Sequence, residues 1–146
     1  MAILNLDLSN PAISSAMKTQ FSADGKPTAI PPSVPCFDSG GNDLLAMGTD
    51  EFGAMLFSDL TSGEYGDPST GGYIRAFTVD RLLVFLNNHY SGISSAPTFS
   101  NSIIPLGRKC TIVTGGGTVE EVNTNDASAL AEAFLTARSN GWITPN

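Results

Sequence analysis

The sequence contains one histidine, His89, and a side chain of this type can act as a general acid or base near neutral pH. Such catalysis needs a second group, for example an activated serine or cysteine, or a metal ion with several protein ligands. Neither a Gly-X-Ser-X-Gly motif nor a Cys/His cluster accompanies this histidine. We therefore expect His89 to be a surface or capping residue on a helix. A small hydrolase that uses His89 is the third hypothesis for function.

One short segment, Asp38-Ser39-Gly40-Gly41, resembles the nucleophile segment of chymotrypsin-like serine proteases. In that family the serine attacks the substrate and the glycines shape the oxyanion hole. The resemblance covers only this segment, and the family places its histidine and aspartate before the serine, whereas His89 follows it here. A chain of 146 residues is also too short for two β-barrels. We therefore predict an Asx-type turn.

Two further patterns are typical of ligand sites. Gly115-Gly116-Gly117 has the composition of a phosphate-binding loop, but Thr118-Val119-Glu120-Glu121 follows it, and carboxylates repel phosphate. Several residues near the middle of the chain offer the hard oxygens that calcium prefers: Asp38, Asn42, Asp43, Asp50 and Glu51. Their spacing matches no EF-hand loop. We predict a hairpin tip at the glycines and a solvated acidic face, with no metal ion and no cofactor.

Charge is sparse and unevenly placed. The net charge is −7, and only 14% of residues are charged, against roughly 25% in an average soluble domain. The imbalance arises between Pro27 and Ile74, a stretch with acidic residues but no Lys or Arg. Binding to nucleic acid needs clustered Lys and Arg, so we expect none. We also expect no signal peptide, no membrane association, and two partly buried thiols at Cys36 and Cys110.

The strongest structural signal is an amphipathic helix within Thr124–Trp142. Its apolar stripe recurs at spacings of three and four residues and consists of Ala127, Leu130, Ala131, Phe134 and Leu135. Asn125 or Thr124 can cap the N-terminus, and Gly141 is placed where a left-handed residue ends a helix. A helix of this length must bury its stripe against other elements, and Ser128 is predicted to face away from them.

The remaining elements have weaker signals. We predict strands at Ile3–Leu8, Tyr73–Phe77, Lys109–Thr114 and Thr118–Val122, and helices at Pro11–Phe21 and Val79–Tyr90. Residues Thr49–Leu60 are predicted to form a helix, with a buried strand at Ala54–Phe57 as the alternative because Gly53 weakens the helix.

The proline content of Lys26–Pro35 predicts an extended arm, since neither a helix nor an interior strand tolerates so many prolines. We expect a single domain over 1–146, with a strand, a short helix and this arm in 1–35 and a globular body in 36–146. The predicted fold class is α+β: a small antiparallel sheet with two to four helices, including a C-terminal helix.

A neutral polar composition and a proline-rich arm suit a protein that assembles with copies of itself. The leading hypothesis is a non-enzymatic virion protein of a bacteriophage, namely a coat, capsid-decoration or cement subunit, made in the host cytoplasm and partnered by a major capsid protein. The interface candidates are arm prolines and aromatic residues: Pro31, Pro32, Pro35, Phe37, Phe99, Phe134 and Trp142. The alternative is a monomeric module that binds a ligand or glycan through loops around Tyr65 and Phe99.

Overall fold

The fold is that of a computed structural model, which describes residues 11–28, 30, 33–37, 42–49, 51–52, 55–59, 65–66 and 74–146. The chain divides into two compact units, Met1–Phe77 and Thr78–Asn146. This division falls inside the segment 36–146 that the sequence predicts as one body, and a single domain over 1–146 stays a prediction. The predicted strand Ile3–Leu8 lies outside the described residues.

The first unit begins its described part with helix α1, Pro11–Ala23. Ile13, Met17 and Phe21 recur every fourth residue and are all buried, which confirms the helix predicted over Pro11–Phe21. Gly25 ends the helix with a φ of 71°. The N–H of Lys26 donates to the carbonyl of Phe21 at 2.8 Å, the closing bond of a Schellman turn.

The other described elements of this unit form an antiparallel sheet. The described strands are Pro35–Phe37 (β1), Asp43–Thr49 (β2), Met55–Asp59 (β3), Tyr65–Gly66 (β4) and Ile74–Arg75 (β5). Their order is β4-β3-β2-β1-β5, and α1 lies against β5. The rings of Phe21 and Phe77 meet edge to face at 6.2 Å, so the helix is fixed to the segment after β5.

The predicted helix over Thr49–Leu60 is wrong. Strands β2 and β3 occupy this region and pair with Ala46 opposite Phe57, so the alternative of a buried strand is the better description. Both of those side chains are buried, whereas Phe52, which the helical pattern would place on the apolar face, is exposed. Pairing between strands therefore overrides the local helical spacing, as tertiary context often does.

The described part of the proline-rich arm packs on its own unit. Residues 26–28, 30 and 33–34 contain no helix or strand, and Ile30 and Val34 are buried in a cluster with β2 and β3. The N–H of Ser33 donates to the carbonyl of Ala46 at 2.6 Å, and the N–H of Ala46 donates to the carbonyl of Val34 at 3.1 Å. These bonds hold the end of the arm along β2.

The second unit combines helices with a second sheet. Its elements are α2 (Val79–His89), β6 (Tyr90–Ser91), β7 (Thr98–Ile103), β8 (Leu106–Val113), β9 (Thr118–Asn123), α3 (Asp126–Ser139) and β10 (Thr144–Pro145). Strands β7, β8 and β9 form an antiparallel sheet in that order, and β10 pairs with β6. Thr78 caps α2, since its Oγ1 accepts from the N–H of Arg81 at 3.3 Å.

Helix α3 lies over β8 and β9 and is buried on more than one side. Phe134 packs edge to face on Tyr90 with 4.9 Å between ring centroids, and contacts with α2 complete the packing. Ser128 is fully buried, so the prediction that it faces away is wrong. The helix is narrow enough to be enclosed in this way because it has alanine at positions 127, 129, 131, 133 and 137.

The α+β class is confirmed, with small antiparallel sheets and helices that include the C-terminal α3. The helix predicted over Val79–Tyr90 ends one residue early, because Tyr90 starts β6. The hairpin predicted at Gly115–Gly117 connects β8 to β9.

Candidate interaction surface

The hairpin of β7 and β8 ends in a strongly apolar tip. Ile103 pairs with Leu106 across a two-residue turn formed by Ile104 and Pro105, whose peptide bond is cis. The exposed fractions of Ile103, Ile104 and Leu106 are 82%, 92% and 85%. Single exposed apolar residues are ordinary, but consecutive ones at one tip are typical of an interaction site. We call residues Ile103–Leu106 the apolar tip.

Strand β7 is an edge strand of its sheet among the residues that the structure describes. In an antiparallel pair, alternate residues direct their N–H and C=O groups away from the partner strand, so half of the peptide groups of β7 point outward. Its sequence, Thr-Phe-Ser-Asn-Ser-Ile, contains no charge and no proline, the usual protections of an edge. The opposite edge strand, β9, carries Glu120 and Glu121.

The side of the sheet that faces α3 continues beyond the helix. Cys110 and Ile112 of β8 are buried under α3, and the register places Phe99 opposite Cys110 and therefore on the same side. Asn101 and Ile103 follow Phe99 on this side, because side chains alternate along a strand. Asn101 and Ile103 are exposed and Phe99 is half-buried, so β7 extends this side of the sheet past the helix with two apolar side chains on either side of an amide.

Arg108 ties β7 to the start of α3. Its Nε donates to Oδ1 of Asp126 at 2.6 Å, and its Nη1 donates to Oδ1 of Asn101 at 2.7 Å. The hydrogen bond that Arg108 donates to Asp126 raises the pKa of Arg108 and so favours its charged form. The position of β7 relative to the helix is therefore fixed by a charge-assisted network.

Two amides of the glycine loop between β8 and β9 are already hydrogen-bonded within the loop. Thr114 Oγ1 accepts from the N–H of Gly116 at 3.2 Å and from the N–H of Gly117 at 3.1 Å. The same hydroxyl donates to the carbonyl of Gly117 at 2.6 Å. The indole of Trp142 lies directly against Gly116 and Gly117. The loop is therefore hydrogen-bonded within itself and packs against the aromatic ring of Trp142.

A small cleft in the first unit lies between α1 and the segment around β5. Its lining includes Lys18, Arg75 and Ser14, whose buried Oγ has no hydrogen-bond partner among the described residues. The cleft is partly open to solvent, and its cavity volume of about 10 Å³ is enough for about one water molecule. The cleft therefore fits a water on the serine hydroxyl better than an organic ligand.

The interface candidates chosen from the sequence occupy very different positions. Phe37 and Phe134 are fully buried in their own units, so neither side chain can reach a neighbouring molecule in this conformation. Pro35 begins β1, Phe99 is half-buried on β7, and Trp142 is half-buried over the glycine loop. Pro31 and Pro32 lie outside the described residues, as does the segment Asp38–Gly41.

Residues with potential chemistry are not assembled into a site in the described parts of the chain. His89 is the last residue of α2, and the centroid of its ring lies 4.5 Å from the centroid of the Phe85 ring. Cys36 and Cys110 are buried thiols in different units, and the described residues include no group of three or more His, Cys, Asp or Glu suited to a metal ion.

Sequence reasoning missed the apolar tip. The pattern of Ile93–Leu106 predicts a polar, irregular stretch with short strand-like pieces that end in Ile103-Ile104, although two isoleucines, a proline and a leucine in succession mark a turn with apolar flanks. The pattern was available, but nothing in it says that the side chains remain exposed.

Within the described residues, no helix has the length and apolar character needed to cross a membrane. No protein-family model matches the chain, and neither the curated proteins nor the solved structures contain a match to it.

Proposed function

We propose that this chain is a non-enzymatic structural subunit that assembles with copies of itself. The setting we propose is a bacteriophage virion, in which it would serve as a coat, capsid-decoration or cement protein beside a major capsid protein. The observation that carries the proposal is the apolar tip Ile103–Leu106, whose large side chains are almost wholly exposed.

The free energies of burial and of association favour a contact that is repeated in an assembly over a contact that occurs once. Full burial of one aliphatic side chain of this size contributes about 1.5–3 kcal/mol, so the three at the tip offer on the order of 5–9 kcal/mol. Association costs roughly 4–15 kcal/mol in lost freedom of motion. One tip alone would therefore give a weak complex, whereas a shell that repeats the contact adds avidity.

The charge distribution supports a place away from the genome. The stretch between Pro27 and Ile74 is acidic and holds no Lys or Arg, so it would repel a phosphate backbone. A neutral sheet edge and an apolar tip suit protein contacts instead.

The test is the mass of the purified chain in solution. We expect analytical ultracentrifugation at micromolar concentration to show oligomers, and the double variant Ile104→Ser, Leu106→Ser to shift the population towards monomer. The matched control is Val84→Ser, which removes an apolar side chain that is 60% exposed on α2. A chain that stays monomeric over the whole concentration range, without and with a major capsid protein, would contradict the proposal.

A further inference from the structure

We propose that two copies of this chain pair through their β7 strands, antiparallel and about a two-fold axis, so that two three-stranded sheets become one continuous sheet. This inference rests on the proposed self-assembly and names the contact by which it begins. The partner is a second copy, because the edge of β7 is complementary to itself.

Self-complementarity follows from the composition of the strand. In a two-fold interface, a residue on the axis faces its own copy, and every other contact occurs twice, once in each direction. Any charge on the strand therefore meets a like charge nearby on the other copy. Strand β7 carries none from Thr98 to Ile103. On β9, by contrast, Glu120 and Glu121 would be brought together with their copies.

The sides of the sheet restrict the register. Directly opposed residues in an antiparallel pair project on the same side, so residues of β7 on the α3 side must meet residues on the α3 side of the copy. The register that places Asn101 opposite Asn101 also places Phe99 opposite Ile103. On both sides of the axis this register pairs the aromatic Phe99 with the β-branched Ile103, and cross-strand pairs of this kind stabilise sheets.

The same register suits Asn101 at the axis. Its Oδ1 already accepts from Arg108, which fixes the orientation of the amide and leaves the NH₂ group to donate across the axis. A neutral amide both donates and accepts, so two copies of Asn101 can face each other without repulsion. The half-buried Phe99 and the exposed Ile103 then cover each other where α3 does not reach.

Cysteine scanning along β7 tests the register. Directly opposed Cβ atoms lie about 4.5–5.5 Å apart, close enough for a disulfide after a small adjustment, whereas diagonal neighbours are about 7–8 Å apart. The variants are Ser100→Cys, Asn101→Cys and Ser102→Cys, each in a Cys110→Ala background because Cys110 is on the same side of the sheet as Asn101. The control for random collision is Thr118→Cys at an exposed position on β9.

With oxidised glutathione, we expect Asn101→Cys to give a covalent dimer several-fold faster than the other variants. Faster dimer formation by Ser100→Cys or Ser102→Cys would overturn the register, since those residues meet their own copies only when the strands are shifted. Circular dichroism confirms that each variant is folded.

A charge introduced on the edge strand β7 allows this inference to be tested separately from the proposed function. We expect Ser100→Lys to weaken dimer formation by about tenfold or more, because two lysines then approach each other across the axis, while Thr118→Lys has little effect. If the chain self-associates but neither Ser100→Lys nor the cysteine series affects or captures the dimer, the proposed function stands and the β7 contact is wrong. If the chain is a strict monomer, both fail.

Discussion

The indole ring of Trp142 lies directly against the backbone of Gly116, so closely that no side chain fits between them. Two features create this contact. The carbonyl of Ala137 accepts from the N–H of Trp142 at 3.0 Å, and Gly141, with a φ of 76°, provides the left-handed residue of a Schellman turn. The turn redirects the chain after α3 and places the ring on the loop between β8 and β9.

Replacement of Gly116 by alanine should destabilise the protein by about 1–3 kcal/mol, because the new methyl group would overlap the indole of Trp142. The matched control is Gly115→Ala, whose Cβ would meet nothing within 4 Å. That change should be neutral or stabilising by less than about 1 kcal/mol. Urea denaturation measures both values, and equal effects of the two substitutions would show that the ring does not lie on Gly116.

The N-terminal cap of α3 gives a second prediction. Asn125 Oδ1 accepts from the N–H of Ser128 at 2.9 Å, whereas the exposed Thr124 donates from its N–H and its hydroxyl to Oδ1 of Asn123. We expect Asn125→Ala to lower the free energy of unfolding by about 1 kcal/mol, and Thr124→Ala by less than about 0.5 kcal/mol. The reverse order in chemical denaturation would assign the cap to Thr124.

Burial of Cys110 predicts a loss of stability at alkaline pH. Desolvation, with a smaller contribution from Asp126, raises the pKa of this thiol to about 12. In the unfolded chain the thiol loses its proton near pH 9, so between about pH 9 and about pH 12 the folded state holds a proton that the unfolded state has lost. The contribution of the protonated Cys110 thiol to the free energy of unfolding is therefore complete below about pH 9 and declines as the pH rises.

The measurement is the free energy of unfolding of the wild type and of Cys110→Ala across that range. The difference between them should shrink as the pH rises, because alanine has no proton to lose. A constant difference would mean that the thiol is accessible to solvent. Thiol reagents should then also modify Cys110 in the folded protein, whereas a buried thiol reacts only after unfolding.

Helices were predictable where their signals are local. Thr78, Asn125 and Gly141 act on backbone groups within a few residues, so their side chains and positions mark the ends of α2 and α3 in the sequence itself. The pairing of β2 with β3 depends on contacts between strands, and the helical spacing in the same stretch predicts a helix that those contacts override.

The candidate surface was less predictable than the fold. Aromatic type alone selected Phe37 and Phe134, which are core residues, because a sequence does not distinguish an aromatic residue that completes the core from one that meets a partner. Four of the six residues of the edge strand β7 are small and polar, so the strand resembles a loop in composition. Its exposure depends on how far α3 extends across the sheet, a property of the assembled unit.

The turn after α3 also gives the molecule a natural optical probe. Trp142 is the single tryptophan of the sequence, so the intrinsic emission excited at the red edge comes from one ring in one environment. That ring joins the end of α3 to the loop between two strands of the neighbouring sheet. A change in its quantum yield or in its quenching by acrylamide therefore signals that these two parts have separated, without any label attached to the chain.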